Sequence, residues 1–274
     1  MTDLFFILTF IAYFVAFIGF GFYFKTLRKD VLKYAQFILG SGFVFHSIFW
    51  IFRILEIYST NTLYFKDLPN FLAWCLILIY FIFSFSRLKI YTVGFFISPF
   101  ILFFLFISYI ISPTFTSPFT PYFRNFWFPI HAISGLFSHG FLIFAMVTSI
   151  MYLLQEREIK RKHLGIFYRK LPPLEYLDRV SEKCVYLGFL FLSIAIITGA
   201  IWSNLVYAEY WRWSPKEVNS FILWLIYAIL IHQRILIGWR GKKSAFMIIL
   251  GFGVWLISFF VINLFTKGFH TYVS

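Results

Sequence analysis

The chain has 274 residues, of which 61% are hydrophobic and 13% are charged, about half the charged fraction of an average soluble domain. This composition, with a mean hydropathy of +0.83, excludes a water-soluble globule and indicates an all-α polytopic membrane protein. The formal net charge of +13 needs its own explanation, because a basic chain can also indicate a nucleic-acid partner.

Eight apolar segments of roughly bilayer-spanning length follow one another along the chain. We predict transmembrane helices at 4–24, 34–56, 68–86, 90–111, 126–154, 184–206, 218–238 and 244–266. The first begins beside Asp3 instead of a basic segment, so we expect it to be retained as a span and not cleaved as a signal peptide. Prolines between residues 113 and 121 end the fourth span and predict a loop before Trp127. The whole chain, 1–274, is expected to form a single membrane-embedded domain.

Lys and Arg residues are distributed asymmetrically between the two sets of connecting segments. One set holds 18 of the 24 basic residues, in segments 25–33, 87–89, 157–183 and 234–243. The positive-inside rule places that set in the cytoplasm, and it places both termini and the other loops outside. The outer loops are 58–67, 112–125 and 207–217. The positive charge therefore mostly reflects the topology of the chain in the lipid bilayer, and no nucleic-acid partner is expected.

The chain offers few side chains that could carry out chemistry. Cys75 and Cys184 fall on different predicted spans, which argues against a disulfide or a CxxC thiol site and indicates passive packing residues. Five of the six histidines lie in or beside the membrane, where ionisable groups are costly and often functional. Of these, His46 and His139 fall near mid-membrane, where hydrogen bonds to polar neighbours on facing helices would satisfy them.

Two histidines reach the outer membrane face from distant parts of the sequence. His131 lies about one turn inside the fifth span, and His270 follows the eighth span. Two neutral imidazoles at one face suit axial ligation of a haem iron, while an interfacial hydrogen-bonding role would explain either residue alone. His232 lies roughly 20 Å below the outer surface at 1.5 Å per residue, in the cytoplasmic half of the membrane.

The most distinctive segment is the outer loop at 202–217, which interleaves aromatic and basic residues. Its central residues are Tyr210, Trp211, Arg212, Trp213 and Lys216. An aromatic belt accounts for interfacial Trp and Tyr. It accounts less well for aromatics that alternate with bases on a side holding only 6 of 24 bases. Flat rings can also pack on a porphyrin while cations meet its propionates, so a planar anionic ligand is a second interpretation.

The sequence of residues 207–217, Tyr-Ala-Glu-Tyr-Trp-Arg-Trp-Ser-Pro-Lys-Glu, resembles the Trp-rich loop of the CcsA/ResC family of cytochrome c assembly proteins. That loop reads approximately W-G-x-Y-W-x-W-D-P-K-E. Three further segments are similar to family motifs: 127–131, 224–234 with its His-x-Arg ending, and 267–272. The resemblance covers most of the chain from about residue 40.

This chain also departs from the family loop at four positions. Tyr207, Ala208 and Ser214 stand where the family has Trp, Gly and Asp, and Asn219 stands where a further Trp is expected. We expect the lost Asp to weaken hydrogen bonding in the loop, and the lost aromatics to loosen the packing of haem.

The resemblance implies a subunit of a cytochrome c synthase, a haem lyase component. Such a subunit carries haem b across the membrane as a transported substrate and presents it at the outer face to an apocytochrome c with a CxxCH motif. No catalytic nucleophile is implied, because the apocytochrome thiols add to the haem vinyl groups. The membrane is a bacterial inner membrane or a thylakoid membrane.

The resemblance also implies roles for individual residues. His131 and His270 match the axial ligands of the outer site, with Trp211, Trp213 and their neighbours against the macrocycle. His232 matches a transmembrane ligand whose partner histidine belongs to a CcsB/ResB-like membrane subunit, and His46 and His139 are the fallback candidates for that partner.

Two other functions compete with this one. A haem-transfer or haem-regulatory membrane protein without ligase activity is favoured by Ser214 and Asn219. An electron-transfer cytochrome b would need at least four buried ligands, and the outer positions of His131 and His270 argue against it.

Overall fold

The computed structural model describes residues 1–60, 62–64, 66–85, 91–111, 116–118, 125–162 and 165–265. This part of the chain is almost entirely helical. The helices are α1 (Thr2–Thr26), α2 (Lys29–Thr60), α3 (Asp67–Ser84), α4 (Val93–Ile110), α5 (Trp127–Lys160), α6 (Ile166–Lys170), α7 (Leu174–Tyr207), α8 (Pro215–Leu236) and α9 (Lys242–Phe265). Two short strands, β1 (Thr62–Tyr64) and β2 (Thr116–Pro118), complete the secondary structure.

Within the described residues, seven helices are long and apolar enough to cross a membrane, namely α1 to α5, α7 and α8. Helix α9 occupies the position of the eighth predicted span. The prediction of an all-α polytopic membrane protein is therefore confirmed. The orientation with both termini outside stays a prediction.

Several helices are longer than the apolar segments that predicted them. Helix α7 begins at Leu174, ten residues before the predicted start of its span. Pro173 is the N-cap residue, just before the first helical residue, and Glu175 forms an i,i+4 ion pair with Arg179. Hydropathy reports only the lipid-facing length of a helix, so it misses such polar extensions.

The described residues form two compact units, one from within 1–118 and 158–172, the other from within 119–157 and 173–274. In the first unit, α1 to α4 pack as antiparallel neighbours, and aromatic pairs join them. Phe6 meets Phe49 on α2 at 6.1 Å between ring centroids, and Trp50 on α2 meets Phe71 on α3 at 5.0 Å. The expectation of a single domain over 1–274 stays a prediction.

A buried polar cluster crosses three helices of the first unit. His46 is 1% exposed, its Nδ1 lies 3.2 Å from the hydroxyl of Tyr13, and its Nε2 lies 3.0 Å from Oδ1 of Asn70. One turn outward along α3, Asp67 forms a bidentate ion pair with Arg53 at 2.8 and 2.9 Å. Intramembrane ionisable groups are normally paired in this way.

The two strands were not predicted. They pair antiparallel with Thr62 opposite Pro118 and Tyr64 opposite Thr116, inside the predicted outer loops 58–67 and 112–125. Such pairing requires both loops to lie on one side, which agrees with the predicted topology. Three-residue strands are too short for a recognisable alternation of apolar and polar residues.

The second unit is an antiparallel arrangement of α5, α7, α8 and α9. Ser138 on α5 donates to the carbonyl oxygen of Gly188 on α7 at 2.9 Å, and Trp224 on α8 donates through Nε1 to Ser193 on α7 at 2.8 Å. Cys184 of this unit and Cys75 of the first are buried free thiols, so the prediction of packing roles is confirmed.

Candidate functional site

The N-terminal end of α5, which is the predicted outer end, is fixed by a side-chain cap that the sequence supplies. Oδ1 of Asn125 accepts the N–H groups of Trp127 and Phe128 at 3.0 Å each, which satisfies two of the unpaired donors of the first turn. The helix therefore begins at Trp127, and His131 lies one turn inside it.

The imidazole of His131 lies on a small-residue face of α7. Its Nδ1 is 2.8 Å from the carbonyl oxygen of Ala195. Because a carbonyl can only accept, Nδ1 carries the proton and Nε2 keeps its lone pair. The ring also occupies the space above Gly199, where an added Cβ would lie 2.6 Å from Nδ1. Within the described residues, no hydrogen bond engages Nε2.

The Trp-rich loop starts with a residue in an unfavourable backbone conformation. Ala208 has φ 59°, the left-handed region that favours glycine, and its N–H donates to the carbonyl of Asn204 at 2.9 Å to end α7. Alanine in this region costs roughly 1 kcal/mol relative to glycine. A glycine, which the resembled loop motif has at this position, would adopt the same φ without that cost.

Ser214 and Glu217 form a reciprocal cap at the start of α8. The Ser214 hydroxyl accepts the Glu217 N–H at 3.4 Å, while Oε2 of Glu217 accepts the Ser214 N–H at 2.9 Å. This is the capping box, in which serine serves as well as aspartate. The Ser214 hydroxyl therefore supplies the N-cap acceptor that the lost Asp would supply, while the expectation of weaker hydrogen bonding in the loop stays a prediction.

Aromatic contacts connect the loop to the helix that carries His131. The Arg212 guanidinium lies 3.8 Å from the centroid of the Tyr207 ring. Tyr207 meets Trp202 at 6.1 Å, and Trp202 meets Phe128 on α5 at 5.6 Å. Phe128 is one turn from His131 on α5, so these contacts reach from the loop to the turn before His131. Tyr207 thus keeps an aromatic packing role at the position where the family has Trp.

On its other side the loop is anchored to α8. Trp211 packs edge-on against Phe221 at 6.1 Å, and Phe221 stacks on Trp224 at 6.2 Å with 5° between the ring planes. Trp211 is half-buried by these contacts. The loop is therefore a fixed element of the second unit and not a loose connection.

Two loop aromatics extend away from these anchors. Tyr210 is 62% exposed and Trp213 is 76% exposed. Trp213 also has φ 56°, which costs roughly 1–2 kcal/mol for a residue with a Cβ. Lys216 is exposed in the first turn of α8. Strained backbone together with exposed large aromatic surface is typical of ligand-binding positions.

His232 lies on α8 about 25 Å from Pro215 along the helix axis, and its side chain is exposed. Two residues further, Arg234 is 5% exposed and binds Asp178 and Glu182 on α7 at 2.7 and 2.8 Å. Residues two apart lie about 200° apart around a helix. The buried Arg234 therefore orients His232 outward from the unit.

The remaining histidines have different surroundings. Both ring nitrogens of His46 are engaged by Tyr13 and Asn70, as expected for an interhelical hydrogen bonder. His139 instead has its Nδ1 2.5 Å from the carbonyl of Gly135 on its own helix, beside the Trp255 ring at 5.0 Å. The expectation of a hydrogen bond to a facing helix is wrong for His139. His270 lies outside the described residues.

The sequence did not point to the cluster around Arg234 or to the capping role of Glu217. Asp178 and Glu182, one turn apart on α7, carry the cluster around Arg234, and their i,i+4 spacing was a usable signal. Glu217 completes the cap of α8, and the Ser-x-x-Glu pattern at 214–217 was a signal for that role.

Comparisons with known proteins agree with the loop motif. The model of the family "Cytochrome C assembly protein" matches residues 66–270. The chain is 33% identical over 213 residues to "Cytochrome c biogenesis protein CcsA" of Chlamydomonas reinhardtii, covering 74% of this chain and 58% of that protein. The protein of the same name from Guillardia theta is 31% identical over 204 residues, which is 68% of each chain.

The same-named protein of Synechococcus sp. (strain JA-3-3Ab) is 43% identical over 108 residues, covering 39% of this chain and 31% of that protein. The chain thus spans less than two thirds of the length of two of these three relatives. No solved structure matches. With a family model covering most of its length, this multi-pass membrane protein belongs to the cytochrome c assembly protein family.

Proposed function

We propose that this chain is the haem-handling subunit of a cytochrome c synthase, which carries haem b across the membrane and presents it at the outer face for attachment to a CxxCH apocytochrome c. One observation carries the proposal. His131 donates through Nδ1 to a backbone carbonyl at 2.8 Å and directs an unprotonated Nε2 away from it. Metal-binding histidines are normally held in this way by their second nitrogen.

The loop residues fit the other requirements of a haem substrate at the outer face. The exposed rings of Tyr210 and Trp213, with Trp211 behind them, supply flat apolar surface for a macrocycle. Arg212 and Lys216 supply positive charge for its propionates. By the resemblance, His270 is the second axial ligand of this outer site.

The attachment reaction places few demands on this chain's own side chains. Each cysteine S–H of the apocytochrome adds across one haem vinyl group: a C–S bond forms, the vinyl π bond breaks, and a proton ends on the terminal carbon. The addition is redox-neutral and needs no protein nucleophile. The chain's contribution is to hold haem in a fixed orientation beside the incoming motif, after which the apocytochrome histidine replaces one axial ligand.

A second site supports entry of haem from the cytoplasmic half of the membrane. His232 is exposed on α8, and a lipid-facing imidazole is costly unless a partner satisfies it. A CcsB/ResB-like membrane subunit with a histidine at the same depth would complete an iron site there. The membrane would be a bacterial inner membrane or a thylakoid membrane.

A haem-transfer or regulatory protein without ligase activity is the alternative. Of the two residues that favoured it, Ser214 caps α8 as aspartate would, which leaves Asn219 as its support. The two functions share the outer site and differ only in whether thioether bonds form.

Coexpression with the CcsB/ResB-like subunit and a CxxCH reporter tests the proposal. We expect covalent haem on the reporter with the native chain, none with His131→Ala, and undiminished attachment with the matched control His139→Ala. A reporter that stays free of haem, although the native chain copurifies with haem, would support the alternative. Full attachment by His131→Ala would contradict the proposed outer site.

A further inference from the structure

We infer that Glu217 is a positioning residue, whose carboxylate holds the strained backbone around Trp213 and so fixes the aromatic surface of the loop. The inference deepens the proposed function and rests on it for its haem readout. Its second readout, the environment of the Trp213 ring, does not depend on haem.

The geometry places one oxygen atom between two backbone amides. Oε2 of Glu217 accepts the N–H of Arg212 at 3.0 Å and the N–H of Ser214 at 2.9 Å. These are the residues immediately before and after Trp213. Hydrogen bonds to a carboxylate are among the stronger ones, so this oxygen restrains the backbone on both sides of the strained residue.

The conformation being restrained is one that tryptophan does not adopt by preference. Trp213 has φ 56°, where its Cβ crowds its own carbonyl. Without the two hydrogen bonds, rotation to negative φ would relieve the crowding and redirect the side chain. The ring now stands 76% exposed and edge-on to Trp211 at 6.0 Å and 86°.

The position of the carboxylate is itself fixed by the helix. Glu217 is the third residue of α8, after Pro215 at the first position, and a negative charge there interacts favourably with the helix dipole. The loop geometry and the helix start are thus coupled through one side chain. A role in proton transfer would need the charge of Glu217, whereas a positioning role needs an acceptor at its present place.

Three substitutions separate these roles in the full chain purified with its partner subunit. Glu217→Ala removes the acceptor. Glu217→Asp keeps the charge at the helix start but withdraws it by one methylene, and Glu217→Gln keeps an acceptor at the same reach without the charge. Glu209→Ala, in the same loop and without a hydrogen bond among the described residues, is the matched control for charge.

Two measurements read the result. The first is the rate at which bound haem transfers to excess apomyoglobin. The second is acrylamide quenching of Trp213 fluorescence, recorded on the haem-free chain. The Trp213 emission is identified as the part of the tryptophan emission that is lost in Trp213→Phe. In Glu217→Ala and Glu217→Asp we expect haem loss to be about tenfold faster, which corresponds to about 1.4 kcal/mol. We also expect the quenching of Trp213 in these two variants to differ from that of the native chain. The Gln variant should stay within about twofold of native, and Glu209→Ala should not change.

The inference is overturned if Glu217→Ala and Glu217→Asp keep the native quenching and haem-loss rate, or if Glu217→Gln is as impaired as Glu217→Ala. The second result would indicate a role for the charge. A native chain that binds no haem would contradict the proposed function instead, and Trp213 quenching would still decide whether Glu217 positions the loop.

Discussion

His131 and Ala195 are joined across α5 and α7 by a 2.8 Å hydrogen bond from Nδ1 to a backbone carbonyl. A backbone acceptor cannot be removed by substitution, and the space for the ring is created by Gly199 one turn away on α7. The orientation of His131, the proposed iron ligand, therefore depends on α7, a helix that carries no proposed ligand.

Gly199→Ala tests that orientation. The new Cβ would lie 2.6 Å from Nδ1 of His131, so the ring must move away from the Ala195 carbonyl. Misplacing a reacting group by about 1 Å can reduce a rate about 100-fold, and we expect reporter attachment to fall at least tenfold at unchanged chain abundance. Gly253→Ala is the control, because nothing lies within 4 Å of the added Cβ. Equal reporter attachment by both variants would contradict the position assigned to the His131 ring.

Arg234→Ala should destabilise the end of the second unit that is predicted to be cytoplasmic. The guanidinium binds Asp178, Glu182 and Ser244 while 5% exposed, and removing one partner of a buried ion pair costs about 3–5 kcal/mol. We expect a lower midpoint of thermal unfolding in detergent and loss of haem from the proposed His232 site. Arg240 is exposed and acts on Glu182 through its charge, so its substitution by alanine should lower both quantities much less; a similar loss there would indicate a general effect of charge.

His46→Leu should lower stability without removing a haem ligand. The substitution leaves buried Asn70 and the Tyr13 hydroxyl without their imidazole partner, at a cost of about 1–3 kcal/mol. Haem bound per folded chain should equal that of the native protein. Ser41→Ala, which removes only a bond within its own helix, should cost much less. A folded His46→Leu chain with reduced haem would show that His46 contributes to haem binding after all.

Ala208→Gly should stabilise the chain. Its φ of 59° suits glycine better than alanine, and the expected gain is about 0.4–1 kcal/mol in the free energy of unfolding. The same substitution at Ala200, inside α7, should instead cost about 1 kcal/mol. If both substitutions destabilise, the left-handed conformation of Ala208 is not the source of strain.

The sequence was sufficient to predict the features that depend on composition and on the regular spacing of residue types. Apolar length predicted the spans, and the alternating aromatics and bases marked the loop around Trp211. It did not reveal the hydrogen bond that holds the His131 ring, because the acceptor is a backbone carbonyl 64 residues away. It also did not show that Ser214 caps α8, since residue type was compared without regard to position at a helix start. The pairing of β1 with β2 depends on two loops meeting in space, which no local pattern encodes.

The most direct test of the central claim is the absorption spectrum of haem in the chain purified with its partner subunit, for the native protein and for His131→Gly with and without added imidazole. Ligation by His131 predicts loss of the low-spin signal of the outer site in the variant and its return when imidazole occupies the vacated position. An unchanged haem content and spectrum in His131→Gly without imidazole would contradict the account.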